Sequence, residues 1–151
     1  MSLQQEVEFL RNIPLFSKVD PTKLKLLAFA SERLAYNDDQ ILFHQGDNGD
    51  AAFIIMEGNA AVLIDTENGA IEVARLKKGD VVGEIAILCN VPRTATVQAK
   101  GQLTTLKVKE DTFFQLVTEF PQIAVEIMRE LAARLERTNA QLRDALNKKA
   151  S

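Results

Sequence analysis

The chain has one cysteine, Cys89, and one histidine, His44, among 151 residues. A single thiol closes no intramolecular disulfide, and a reducing, cytoplasmic compartment is the natural home of such a chain. The same scarcity excludes several chemistries. The four thiolates of an iron–sulfur cluster are missing, as are the several imidazoles of a histidine-rich centre, so no metal is expected. Hydrolysis of a phosphodiester would need a metal site or a nucleophile beside a base. No such set stands at the right spacing, and the chain is not expected to be an enzyme. Cys89 is read as a small buried apolar residue and His44 as an ordinary strand residue. There is no run of about 18 apolar residues to form a transmembrane helix, and no basic-then-apolar leader at the start. Basic charge is not in excess either: 18 Lys and Arg stand against 21 Asp and Glu. A net charge of −3 draws in neither nucleic acid nor a membrane surface, so any anion must be held by local geometry.

What is present fits one domain with a real core: 46% hydrophobic and 26% charged residues. Residues 1–31 read as a helical segment. Leu3, Val7 and Leu10 recur at helical spacing, and Asp20-Pro21 is an N-cap followed by proline at the first helical position. Leu24, Leu27 and Ala28 give that second helix its buried face, which ends near Ser31. Leu15 and Phe16 are expected to pin these helices to the rest.

From 32 to 109 the texture changes. Gly46, Gly58, Gly69 and Gly79 fall 12, 11 and 10 residues apart between short apolar runs, the punctuation of an antiparallel β sandwich or barrel. Candidate strands are 41–43, 53–56, 60–64, 71–76, 81–82, 94–99 and 103–108, with a hairpin at Asn68-Gly69. The order fits a jelly-roll barrel of about eight strands.

Residues 110–151 return to helix. Glu110 and Asp111 open one whose apolar side carries Phe113, Phe114, Leu116 and Val117, and Phe120-Pro121 breaks it. A second runs from Pro121 to about Lys148, about 42 Å at 1.5 Å per residue. Its apolar positions Ala124, Met128, Leu131, Leu135, Thr138, Leu142 and Ala145 step by 4, 3, 4, 3, 4 and 3, a heptad seam. So long a helix exceeds what a small barrel can cover, and a parallel homodimer through it is expected.

The most informative stretch is 82–97. Gly83 permits close approach of backbone N–H groups to an anion. Glu84 to Cys89 can form a short helix whose N-terminus favours negative charge. Nine residues after Glu84, Arg93 offers a fork of donors suited to phosphate, and Thr94 adds a hydroxyl. Glu84 repels phosphate but accepts hydrogen bonds from sugar hydroxyls. One carboxylate for sugar and one guanidinium for phosphate suggest a nucleotide.

This run resembles the phosphate-binding cassette of the cyclic-nucleotide-binding domains: Gly-Glu, a short helix, then Arg-Thr-Ala. The resemblance extends over residues 12–145 and is nearest to the sensor domain of bacterial catabolite-activator proteins, through Leu116, Pro121, Arg134, Leu135 and Thr138. It implies that Arg93, Thr94 and the backbone following Gly83, through Ile85 and Ala86, hold the cyclic phosphate, with Ala95 completing the motif. It implies that Glu84 holds the ribose 2′-hydroxyl and that Val62 and Val73 wall the base. It sets Arg134 near the Glu and the phosphate, and Thr138-Asn139 where a Thr-Ser pair of that family meets the adenine. The expected ligand is cAMP, with cGMP second because a Thr after the Arg also suits guanine, and the expected signal is repositioning of the C-terminal helix. Catabolite-activator relatives carry a helix-turn-helix after that helix. Only a few residues follow Lys148, so this chain alone is not expected to read DNA. A truncated transcription regulator and a nucleotide-independent dimerisation scaffold are the alternatives.

Overall fold

The computed structural model describes residues 2–150, with side chains through Lys148; the chain limits Met1 and Ser151 lie outside it. Helix α1 (Leu3–Arg11) starts from a capping box in which Ser2 and Gln5 each bond the other's backbone N–H. A single 3-10 turn, Pro14–Phe16, leads to α2 (Pro21–Ala30), capped by Asp20 through the N–H of Thr22. The expected buried face of α2, Leu24, Leu27 and Ala28, is in place, and Leu15 and Phe16 are buried beside it.

Six strands follow in one antiparallel sheet: β1 (Glu32–Tyr36), β2 (Ile41–Phe43), β3 (Ala51–Thr66), β4 (Gly69–Leu76), β5 (Val81–Val82) and β6 (Thr96–Lys109). The order is β1-β6-β3-β4, with β2 also on β6 and β5 also on β3. The expectation of an eight-stranded closed barrel is corrected here: the architecture is mainly β with flanking helices, but among the described residues the strands number six and the sheet order does not close. The segments 53–56 and 60–64 are one strand, as are 94–99 and 103–108 from Thr96 onward. The glycines between them are irregularities within strands rather than turns. Gly58 (φ +91°) lies where the β3–β6 register shifts, and Gly101 has φ +79°. β1 is a strand that sequence reading had not singled out. The Asn68-Gly69 hairpin is present with its two-residue loop at Glu67-Asn68, and of these residues only Gly69 takes a positive φ, +101°.

The irregularity in β3 switches its faces, while along β6 the two cores take alternate positions. Ala52, Ile54 and Met56 of β3, with Leu106 and Val108 of β6, join a core under the helices that includes Leu10, Phe16, Leu24, Phe113 and Ile123. Beyond the irregularities, Ala60 of β3 and Val97, Ala99 and Leu103 of β6 join a second core with Ile55 and Leu76. Short helix α3 (Glu84–Cys89) packs on β3. Helix α4 (Glu110–Glu119) buries Phe113 and Leu116 but leaves Phe114 40% exposed. Helix α5 (Gln122–Ala150) packs through Ile123, Ile127 and partly Leu131, and every described side chain from 132 to 148 is exposed. Among the described residues no helix is long and apolar enough to cross a membrane.

Candidate functional site

The site is built where α3 meets β3. Gly83 caps α3 in a left-handed conformation (φ +93°) and offers no side chain to the helix's first N–H groups, of which that of Glu84 meets its own carboxylate. The chain then reverses through Asn90, also left-handed (φ 52°), and brings Arg93 back against the start of the same helix. Two backbone bonds fix this return: Arg93 N–H donates to Asp47 O (2.8 Å), and Gly46 N–H donates to Arg93 O (2.9 Å).

The Arg93 side chain is 4% exposed. Nη1 donates to the carbonyl of Gly83 (2.9 Å) and Nη2 to that of Ala51 (2.7 Å), so one guanidinium ties the cap of α3 to the first residue of β3. Its Nε is buried without a hydrogen-bond partner among the described residues. Its carbon lies 4.1 Å from the ring centroid of Phe43 and 5.9 Å from that of Phe53. Burial lowers the Arg93 pKa, opposed by Asp50, Asp47 and Glu84. Two glycines make room for this arrangement. A Cβ on Gly83 would lie 2.5 Å from Arg93 Nη1, and one on Gly49 would lie 2.5 Å from Ala86 Cβ and 3.0 Å from Arg93 Cζ.

Glu84 is also buried, at 7% exposure. Burial raises its pKa; its own backbone N–H and Arg134 oppose the rise, Glu130 adds to it, and Arg93 opposes it. The charge of Arg134 on α5 therefore reaches the carboxylate proposed for sugar. A buried guanidinium with a spare donor beside a buried carboxylate is a donor and acceptor set matched to a phosphorylated sugar.

The remaining expected positions scatter more widely. Ala86 is buried, Ile85 and Ala95 are half-buried, and Thr94 is exposed. Val62 packs on the second core, which also takes in Phe43, whereas Val73 on β4 is 48% exposed. Thr138 and Asn139 are exposed, and the Thr138 hydroxyl donates to the Arg134 carbonyl of its own helix (3.0 Å). Cys89 is exposed at the end of α3, which corrects its reading as a buried residue: the α3 face that includes Ala86 and Ile87 is turned inward instead. His44 is exposed just after β2, rather than in a strand. Sequence reasoning missed Phe43, Phe53, Gly49 and the Ala51 carbonyl. Only Gly49, a glycine between Asn48 and Asp50, carries any local signal. Among the described residues no group of three or more His, Cys, Asp or Glu is placed to hold a metal.

Similarity to known proteins extends over most of the chain. A cAMP-dependent protein kinase regulatory subunit of Blastocladiella emersonii is 39% identical over 110 residues, 72% of this chain and 27% of that protein. The chain spans about a quarter of the length of the curated relatives it matches. Among solved structures, the Thermus thermophilus catabolite activator protein superposes with a TM-score of 0.76 at 25% identity, covering 85% of this chain and 61% of that one. The regulatory subunit of a cAMP-independent protein kinase A from Trypanosoma brucei gives 0.75 at 26%, covering 87% and 47%. The model of the cyclic nucleotide-binding domain matches residues 33–120, more than half of the chain and the whole of the Arg93 site. The chain belongs to the cyclic nucleotide-binding domain family.

Proposed function

We propose that this chain is a sensor module that binds cAMP in preference to cGMP and signals through α5. The observation that carries the reading is the buried Arg93 guanidinium, with two carbonyls satisfied and Nε–H left over. A buried donor without a partner is rare in native proteins, and a phosphate oxygen would supply its acceptor. Glu84 takes the ribose hydroxyl. Thr94 and the N–H groups that follow Glu84 in α3 complete the hold on the phosphate, and Val62 and Val73 flank the base. Thr138 and Asn139 favour adenine, while the hydroxyl of Thr94 is the feature that suits guanine. The fold alone does not choose a ligand, since the Trypanosoma relative is cAMP-independent by name.

Coupling follows from charge. Arg134 lies on α5 and acts on Glu84, so a sugar that engages Glu84 changes the free energy of that placement of α5. The exposed residues Met128, Leu135, Leu142 and Leu146 give α5 the face for a homodimer.

Calorimetric titration with cAMP and with cGMP tests the reading. Binding of cAMP is expected, weakened about ten- to a hundredfold in Arg93→Ala and less in Arg93→Lys, which keeps the charge but not the fork. No heat with either nucleotide overturns it. A second reading, a dimerisation scaffold indifferent to nucleotides, is favoured by the same exposed seam and predicts a melting temperature that neither nucleotide moves.

A further inference from the structure

The ring centroid of Phe43 lies 4.1 Å from the Arg93 guanidinium carbon, with the Phe53 ring beside it at 5.7 Å and 35°, itself 5.9 Å from that carbon. We propose that Phe43 is a positioning residue for Arg93, fixing the one guanidinium N–H that the protein leaves for an anion. The inference rests on the reading of the site given above.

The geometry supplies the reason. The bonds to Gly83 O and Ala51 O hold Nη1 and Nη2, two points of a flat group. Two points leave one motion free, a rocking of the plane about the line that joins them. Nε is off that line, so it is the atom that rocking displaces, and it is the buried nitrogen without a partner. An aromatic face against the guanidinium opposes the rocking by contact and by attraction of the cation to the ring quadrupole. A ring that served only the core would meet apolar atoms alone. Phe43 does pack on the second core, but it also faces a charge that burial has stripped of water. Phe53, 5% exposed, flanks both the Phe43 ring and the guanidinium and closes the side of this seat.

The test uses the whole chain and needs no ligand in its first arm. The Nε–Hε signal of Arg93, assigned by its loss in Arg93→Lys, is expected upfield in the native chain because of the ring beside it. It should move downfield in Phe43→Leu and return in Phe43→Tyr. In the second arm, cAMP affinity should fall on the order of tenfold in Phe43→Leu and recover in Phe43→Tyr. Phe43→Met, unbranched and of similar volume, replaces Phe43→Leu if that variant does not fold. A Phe43→Leu chain with an unmoved Arg93 signal and native affinity overturns the inference. If the native chain binds neither cAMP nor cGMP, the functional reading falls on that result, and the Arg93 signal alone decides whether Phe43 holds the guanidinium.

Discussion

Glu84 shows how a single residue trades stability for chemistry. Its folded-state pKa is raised, chiefly by burial, so between the ordinary carboxylate value and the raised one the native chain binds more protons than the unfolded chain. Stability therefore falls as pH rises through that window, and the penalty stays constant above it. Glu84→Gln removes the charge and should melt at higher temperature than the native chain at neutral pH. The difference should shrink toward zero as pH drops below the carboxylate range, as read by thermal melts from pH 4 to 8. Parallel melting curves at every pH would show that the carboxylate carries no such penalty. On the proposed reading the same variant replaces a charged acceptor for a sugar hydroxyl by a weaker neutral one, so it should bind nucleotide less tightly while folding more stably.

At the scale of elements, the two long strands depend on how each glycine is used. A Cβ on Gly58 would overlap the carbonyl oxygen of Gln102, whereas nothing lies within 4 Å of one on Gly101, and both have positive φ. Gly58→Ala should cost more than Gly101→Ala: about 1 kcal/mol of backbone strain for the second, and a clash on top of that for the first. Urea denaturation of the two variants measures the difference, and equal costs would mean that the β3–β6 crossing yields easily. The same pair explains what the sequence concealed. A glycine at a strand irregularity and a glycine at a turn look alike in one dimension, so single strands were read as pairs and a barrel of eight was expected. Helix starts fared better, because Asp20-Pro21 and Ser2 to Gln5 are complete within a few residues. The core of the cassette was legible for the same reason: Gly83, Glu84 and Arg93 are spaced along one short segment. Phe43 and the carbonyl of Ala51 reach the site from β2 and β3, 50 and 42 residues from Arg93, and no local pattern announces such a meeting.

At the scale of the molecule, α5 packs on the core only near its start, and its described side chains from 132 to 148 are exposed. Met128, Leu135 and Leu142 are each more than half exposed, and the 3.5-residue spacing predicts that a second copy covers them. Light scattering should give the mass of two chains, and Leu135→Asp should return it to one. A native mass of one chain at micromolar concentration would sink the dimer. If the dimer forms, the melting temperature should also rise with protein concentration, since association stabilises the folded form by mass action.

The bonds from Arg93 to Gly83 and Ala51 have a consequence for genetics. The group that would grip the ligand is also the clip that satisfies two carbonyls of its own fold, one of them buried with Ala51. Arg93→Ala leaves both without that donor, a cost of about 1–3 kcal/mol for a buried unsatisfied group. In a living cell a loss of that size changes steady-state abundance several-fold. A screen that scores only signalling output would therefore report Arg93 variants as deaf when part of the phenotype is scarcity, and protein levels must be measured beside the output to separate the two.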